Sequence, residues 1–501
     1  MNSLRKPCLL VLCQVGLLML GPSGRASSDA AAPARAAASE RMATTTVEAG
    51  LHVVVEDALA ANLELQAGSA TVRQRLAVLE QARARYLPTL DFAARYTLAD
   101  GGRSIEFPVG DLLNPIYATL DEMLVASGQP AQFPRVRNQH IDFLRSHEQE
   151  TRFILEQPLY EPRLRPAVDA SRAQLDGAES NLAALRSRVV RDARQGYYQW
   201  LAAQQATRVL DASRELAAAN LAANQSLYRN GKITRDLVYR AEADVLEIEQ
   251  QRLNAASRVR LAQAYVNLLR NAPNDRPLPE ASVDADTVAR FRGRLIERLA
   301  GRQVDAALLQ DLAMDRRQEL KSLDAAVEQG VAQQALARAA FRPRLALGAE
   351  AGIQGTSYGF GSDERYVLAS VILRWNLFHG GADRAELAQA VAFTEELRAS
   401  RELAGQRVRL EVQQATENLE VADASLETAA KRAQAAESGF RIVARKRDLG
   451  QINQAEYIDA RRTLTDAQLN LTRIRTEFLA RLAELEYAIG APAQGNVESP
   501  S

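Results

Sequence analysis

The sequence predicts a mainly α-helical protein with a membrane β-barrel. Long coiled-coil helices are continuous with four membrane strands per chain, and the plan is an internal duplication. Three observations lead to this class. The stretch from Ala382 to Leu449 has no proline and only two glycines, Gly405 and Gly439, and as one helix it would reach about 100 Å at 1.5 Å per residue. Short segments of alternating polarity lie between the helical limbs, the period-two signature of strands. The whole plan then occurs twice.

The helical limbs carry a coiled-coil seam. Ala415, Leu419, Ala422, Leu426, Ala429, Ala433, Ala436, Phe440 and Val443 recur at alternating steps of four and three, a 3.5-residue repeat, and the alanines admit close partner helices. Beyond Gly450 a return limb continues through Leu464, Ala467, Leu471, Ile474, Phe478, Leu482, Leu485 and Ile489.

At the start of the chain, Arg5 and Lys6 precede an apolar run from Cys8 to Leu20, followed by Gly24-Arg25-Ala26. Residues 1–26 read as a secretory signal peptide. The run is too short to span a bilayer as a helix; an uncleaved anchor is the alternative. Cys8 and Cys13 are the only cysteines, so a processed chain has no thiol for a disulfide, a metal site or catalysis. Leu10-Val11-Leu12 are too bulky for lipidation at Cys13. Lys plus Arg and Asp plus Glu are both 62, so no global field points to nucleic acid. Removing the leader takes Arg5, Lys6 and Arg25 and no acids, which leaves a net charge of −3. No later run is apolar enough for a membrane helix, so any membrane crossing must be made by strands.

Residues 27–50, rich in Ala, Ser and Pro, read as a flexible arm. The first repeat spans 51–273. It holds a helical pattern from Leu51 to about Tyr86, a strand through Leu90, Phe92, Ala94 and Tyr96, and an extracellular loop over 98–150 with one short helix around Ala118 to Val125. A strand over Arg152 to Gln157, a long limb from about Arg163 to Asn230, and a return limb to Arg270 complete it. Residues 274–310, with Pro277 and Pro279, form a linker belt. The second repeat, 311–492, has a helix from about Asp311 to Ala340, strands over Leu345 to Gln354 and Arg365 to Trp375, and the limbs around Gly450; 493–501 is a tail. Gly231 and Gly450 register at an offset of 219 residues, which also places Ala241 on Ala460 and Ala272-Pro273 on Ala491-Pro492.

Four strands of about ten residues have the length to cross an outer membrane when tilted. An open sheet in lipid leaves two edges of unpaired backbone groups. Closure therefore demands further chains, and three give twelve strands. Gly348, Gly352, Gly355, Gly359 and Gly361 suit barrel curvature and a turn. The rival reading, a phosphate-cradling loop, lacks the Gly-x-Gly-x-x-Gly pattern between a strand and a helix.

The carrying motifs are Tyr86-x-Pro88-Thr89-Leu90 and Phe341-x-Pro343-x-Leu345, Trp375-x-Leu377-Phe378-x-Gly380-Gly381, and Asp448-x-Gly450 followed by Glu456-x-x-Asp459-Ala460. In this order and in duplicate they resemble the TolC family of outer membrane efflux proteins, from Leu51 to Ala491. The resemblance implies a homotrimer in outer membrane lipid, a tunnel of twelve long helices through the periplasm, and the linker as an equatorial belt. It also implies a periplasmic adaptor (membrane fusion protein) and an inner-membrane RND or ABC transporter as partners. On this reading the chain is the passive outer membrane channel of a tripartite efflux or secretion system, type I secretion included. It is not an enzyme and needs no cofactor, metal or nucleic acid.

Glu456 and Asp459, at i and i+3 and so on one helical face, match the family's acidic ring at the periplasmic mouth; a solvated acidic face is the plain alternative. The first repeat has Leu237 at the aligned acidic position, with Asp236 before it. Arg447 and Ile452 stand where the family's best-known member carries a tyrosine and an arginine that hold the mouth shut. Gly231, Lys232 and Ile233 with Gly450, Gln451 and Ile452 form the helix turns expected to dock the adaptor, although glycine there is also a helix C-cap device. Tyr160, Trp375, Phe378, Gly380 and Gly381 mark the junction of barrel and helix, where aromatics suit an interfacial girdle. His52, His140, His147 and His379 fall in no metalloprotease pattern, and no nucleophile elbow is present. The rival from another class is a secreted coiled-coil structural or adhesive protein, for which four alternating segments have no use.

Overall fold

The computed structural model describes residues 46–298, 305–357, 359 and 361–491. The signal peptide, most of the N-terminal arm, Pro492 and the tail lie outside the described residues. Sixteen elements follow: α1 Val47–Ala61, α2 Leu63–Ala84, β1 Thr89–Leu98, β2 Ser104–Phe107, α3 Val109–Ala126, β3 Gln139–Asp142, β4 His147–Tyr160, α4 Leu164–Arg229, α5 Arg235–Leu269, α6 Ala285–Arg298, α7 Ala306–Arg316, α8 Gln318–Ala339, β5 Arg344–Gly355, β6 Arg365–Arg374, α9 Ala382–Asp448 and α10 Gln454–Ala488.

Two helices set the length of the molecule. α4 has 66 residues and α9 has 67, so each is about 100 Å long. Near its start α4 meets α2 and α8, where Gly68 lies under Leu182 and Gly177 faces Ala325. Farther along it meets α5 and α10, through Arg214–Glu249 at 2.8 Å and Ser213–Thr465 at 2.8 Å. The expected seam is buried at Ala415, Leu419, Ala422, Ala429 and Ala433, and on the return helix at Leu464, Ala467, Ile474, Phe478, Leu482 and Leu485.

Both short helical limbs are broken where the sequence suggested one piece. Asn62 is extended, at φ −61° and ψ 127°. Its side chain accepts from the backbone N–H groups of Glu64 and Leu65 at 2.9 and 3.1 Å, an N-cap, and donates to the Leu269 carbonyl at 3.1 Å. Arg317 makes the corresponding break between α7 and α8, donating to the Ala488 carbonyl at 3.2 Å. Leu269 and Ala488 stand at the same 219-residue offset as the two turns.

The arm read as flexible ends earlier than expected. Residues 47–50 are the first turn of α1, because Val47 is buried and Gly50 lets Tyr197 pass so close that a Cβ would meet its hydroxyl oxygen at 2.2 Å. That hydroxyl donates to the Pro279 carbonyl at 2.7 Å. The linker is more ordered than a belt of loop: α6 packs Phe291 edge-on against Tyr198 at 6.4 Å, and α7 begins at Ala306, inside the stretch assigned to the linker.

β1, β4, β5 and β6 form one antiparallel sheet in the order β1-β4-β5-β6. β4 starts five residues earlier than expected and continues through Pro158. Thr89–Glu156 is the last rung with β1, so Pro158 lies past that neighbour, and the register with β5 shifts between Pro158 and Tyr160, where an extra residue is tolerated. The insertion over 98–150 is not mainly loop. β2 and β3 pair as a ribbon, and α3 runs 18 residues through Pro115.

Candidate functional site

The two helix turns have one design. At the first, the Gly231 N–H donates to the Tyr228 carbonyl and the Lys232 N–H to the Leu227 carbonyl, both at 2.9 Å. At the second, the Gly450 N–H donates to the Arg447 carbonyl and the Gln451 N–H to the Lys446 carbonyl, both at 2.9 Å. This is a Schellman closure, which needs the left-handed backbone that glycine adopts at little cost; φ is +67° at Gly231 and +72° at Gly450. No heavy atom lies within 4 Å of a Cβ built on either glycine. The backbone angle rather than crowding therefore selects glycine, and Gly231, Lys232, Gly450 and Gln451 are exposed while Ile233 and Ile452 are half-buried.

Glu456 and Asp459 both lie on the exposed side of α10 near this turn. Glu456 has a local partner that the motif did not reveal. The Asn453 side chain accepts from the Glu456 N–H at 2.9 Å and donates to the Glu456 carboxylate at 2.9 Å, a variant of the capping box. The first turn of α10 also favours an acid through the helix dipole. Arg447 pairs with neighbouring Asp448 at 2.8 Å and stacks over the Tyr457 ring at 4.2 Å, and Tyr457 contacts Phe440 with ring centroids 5.5 Å apart. Arg447 thus braces its own hairpin.

Farther from the turns lies a polar cluster that sequence reasoning missed. Arg461 and Asp244 are each 2% exposed at the side chain and pair at 2.7 Å. Arg461 also donates to the Ser213 hydroxyl, which bonds Thr465, and Arg462 joins Asp244 at 3.3 Å and Glu247 at 2.6 Å. One guanidinium thereby ties α4, α5 and α10. The signal was present: Arg461 sits four residues after buried Tyr457 and three before Leu464, a charge on the apolar seam. Beside the cluster, α4, α5 and α10 enclose an open groove of about 1060 Å³ with Gln251, Asn254, Arg258, Asp466, Arg473 and Glu477 among its walls.

At the other end, Trp375 donates its indole N–H to the Phe341 carbonyl at 3.1 Å while its ring stays exposed, as are Phe378 and Tyr160. Gly380 and Gly381 have φ of +60° and +90°, and Asn376 holds Asp383 in the first turn of α9 at 2.7 Å. On the sheet, Leu90, Phe92, Tyr96, Phe153, Val367, Val371 and Leu373 form one apolar face, all exposed. The opposite face carries Arg95, Glu150, Arg152 and Glu350, linked at 2.8, 3.1 and 3.2 Å. This is the pattern of a membrane barrel, apolar outside and polar within. Among the described residues no helix is long and apolar enough to cross a membrane, and no three His, Cys, Asp or Glu cluster as metal ligands.

Comparison with known proteins agrees with this geometry. Residues 309–491 match the family of outer membrane efflux proteins. No curated protein sequence matches the chain. Among solved structures, the CmeC outer membrane channel of Campylobacter jejuni superposes with a TM-score of 0.69 at 16% identity, over 88% of this chain and 85% of that one. VceC, an outer membrane protein of Vibrio cholerae, gives 0.70 at 18% identity, over 89% and 97%. The open state of the MtrE outer membrane channel of Neisseria gonorrhoeae gives 0.69 at 17% identity, over 89% of both chains. At these identities the structural likeness is one of fold. Residues 309–491 thus carry the family's sequence, and the chain as a whole has the fold of these channels.

Proposed function

We propose that the chain is the passive outer membrane channel of an efflux system, with its helical part in the periplasm, and acts as a homotrimer whose three sheets close a twelve-stranded barrel in outer membrane lipid above a helical tunnel. The observation that carries the reading is the sheet itself. Its outer face is apolar, and β1 and β6 are open edges that lipid cannot satisfy. The helices point the same way. α5 exposes Tyr239, Leu246 and Leu253 at steps of seven, and α9 exposes Val421 and Ile442, three heptads apart, with Leu449 in the same phase at its C-cap, seams that partner helices would cover. The 219-residue offset shared by the turns and by the Leu269 and Ala488 carbonyl contacts supports a duplication of 51–273 as 311–492.

Twelve helical positions then line the tunnel, with α6 as part of the equatorial belt. The turns Gly231-Lys232-Ile233 and Gly450-Gln451-Ile452 dock a periplasmic adaptor, and an inner-membrane RND or ABC pump supplies the energy. Three copies of Glu456 and Asp459 ring the periplasmic mouth and favour cations. Tyr160, Trp375 and Phe378 sit at the membrane interface, and Gly380-Gly381 turn the chain from strand into helix. Heat-sensitive trimer bands on gels and single-channel conductance in planar bilayers test the reading; a folded monomer without conductance overturns it.

A further inference from the structure

The insertion between β1 and β4 is built unlike the connection between β5 and β6 at the same end of the sheet. Residues 99–146 connect β1 to β4, whereas only 356–364 connect β5 to β6. Its helix α3 has apolar residues on two sides. The side turned to its own chain holds half-buried Leu113, Tyr117 and Leu124 and is tied down by two polar anchors: Asn114 exchanges two hydrogen bonds with the Val136 backbone at 2.8 and 2.9 Å, and Asp121 accepts from the Gln132 and Phe133 N–H groups at 2.9 and 3.2 Å. Tyr117 stacks on Phe133 at 5.1 Å. The opposite side presents Leu112, Ile116, Leu120 and Met123, of which Leu112, Ile116 and Met123 are 67%, 56% and 65% exposed. A rigid helix with an apolar face turned away from its own chain marks an interaction surface.

Lipid is a poor occupant for that face. The ten residues of β1, at about 3.3 Å each and tilted about 40°, already span roughly 25 Å, the height of a barrel's apolar band. The insertion therefore stands beyond the membrane. Its helix carries Asp111, Asp121 and Glu122 and no Lys or Arg, the reverse of a helix made to lie on an anionic surface. A second copy of the chain fits better. Twelve strands about 4.8 Å apart, tilted about 40°, close a ring roughly 24 Å across. α3, about 27 Å long and rooted through β1 at the sheet edge where copies must meet, is long enough to span from the wall to the axis of that ring.

We propose that the Leu112, Ile116, Leu120 and Met123 faces of α3 from three copies pack together over the extracellular mouth and cap the channel. The inference rests on the trimer reading, and the test separates the two. An Ile116→Cys variant is treated with a short bismaleimide in isolated outer membranes, beside an Ala94→Cys/Ala369→Cys control with one cysteine on each open sheet edge. Covalent trimers in the control and covalent dimers through Cys at 116 are expected. The Leu112→Asp/Met123→Asp variant, which leaves the anchors Asn114 and Asp121 in place, should raise single-channel conductance severalfold. If the control forms trimers while Ile116→Cys stays uncrosslinked, whether labelled by an impermeant maleimide or shielded from it, the cap is wrong and the trimer stands. If the control forms none, the trimer reading fails and the cap with it. Conductance unchanged in the double aspartate variant also overturns the cap.

Discussion

Replacing Asp244 by leucine removes the carboxylate that, among the described residues, pairs with a guanidinium that is 2% exposed. Arg461 would keep its bond to Ser213 and lose its charge partner, leaving a buried cation between α4, α5 and α10. Breaking a buried pair from one side costs about 3–5 kcal/mol, whereas replacing both members by apolar groups is often near neutral. The arrangement is already imperfect, since one Asp244 oxygen and the Arg461 Nε have no partner, so the intact pair adds little net stability. Asp244→Leu is therefore expected to lower unfolding stability by about 3–5 kcal/mol per protomer. Asp244→Leu/Arg461→Met should recover most of that loss. Helical circular dichroism of the detergent-solubilised protein through a denaturant series gives both values, and a double-mutant cycle isolates the coupling. Asp244→Leu as stable as the parent, or a double variant worse than either single one, would refute the view that the charges matter as a pair. The network lies within one chain, so the result does not depend on how many copies assemble.

Three further outcomes follow from the two turns and the belt. Glu456→Gln/Asp459→Asn keeps a hydrogen-bonding group opposite Asn453 while removing both charges, and should reduce cation selectivity in planar-bilayer recordings; unchanged reversal potentials would leave the pair as a solvated cap. Gly450→Leu places a side chain at φ +72°, which costs about 1–2 kcal/mol, and should weaken adaptor capture in a pull-down while barrel and trimer persist; full capture would remove the turn from the docking surface. In the belt, burial works against the Glu48 carboxylate, but bonds to Arg290 and the charges of Arg290 and Arg294 outweigh it and hold its pKa below the ordinary 4.5. The Thr287 backbone N–H and hydroxyl likewise hold Asp284 low. Both groups add stability above their ordinary pKa values and lose it as pH falls through the depressed ones. Amide protection factors in α1 and α6, corrected for the intrinsic pH dependence of exchange, should thus fall only below about pH 4.5, and a fall already at pH 6 would contradict the assignment.

The long elements were legible because they obey one strong rule each. An unbroken 3.5-residue repeat fixed α9 and α10, and alternation fixed β1 and β6, within two residues at most ends. What escaped depends on single polar residues with distant partners. Asn62 and Arg317 end one helix and begin the next because of carbonyls some 170 to 207 residues away. Neither is a glycine or a proline, so no local breaker signal exists. The insertion looks like loop in the sequence because Pro108, Pro115, Pro130 and Pro134 outweigh a helical pattern that tolerates Pro115 and is anchored by Asn114 and Asp121. At the turns, the sequence located Glu456 but not its bond to Asn453, since an Asn three residues before an acid reads equally as a cap or as nothing.

The breaks at Asn62 and Arg317 also explain what the segments around them cover. α5 ends at Leu269 against the start of α2, and α10 ends at Ala488 against the start of α8, so each pair meets tail to head with aligned dipoles. Such a joint leaves orphan carbonyls and N–H groups inside the wall, and every one left unsatisfied would cost stability. Asn62 and Arg317 each answer one carbonyl, Asn62 caps the helix that follows, and Arg270 pairs with Asp57 beside it. α1, α6 and α7 cover this level, through Tyr197 to Pro279, Arg290 and Arg294 to Glu48, and Met314 against Gly405. Helices stacked end to end leave joints to be covered, and the segment between α5 and α8 supplies much of that cover.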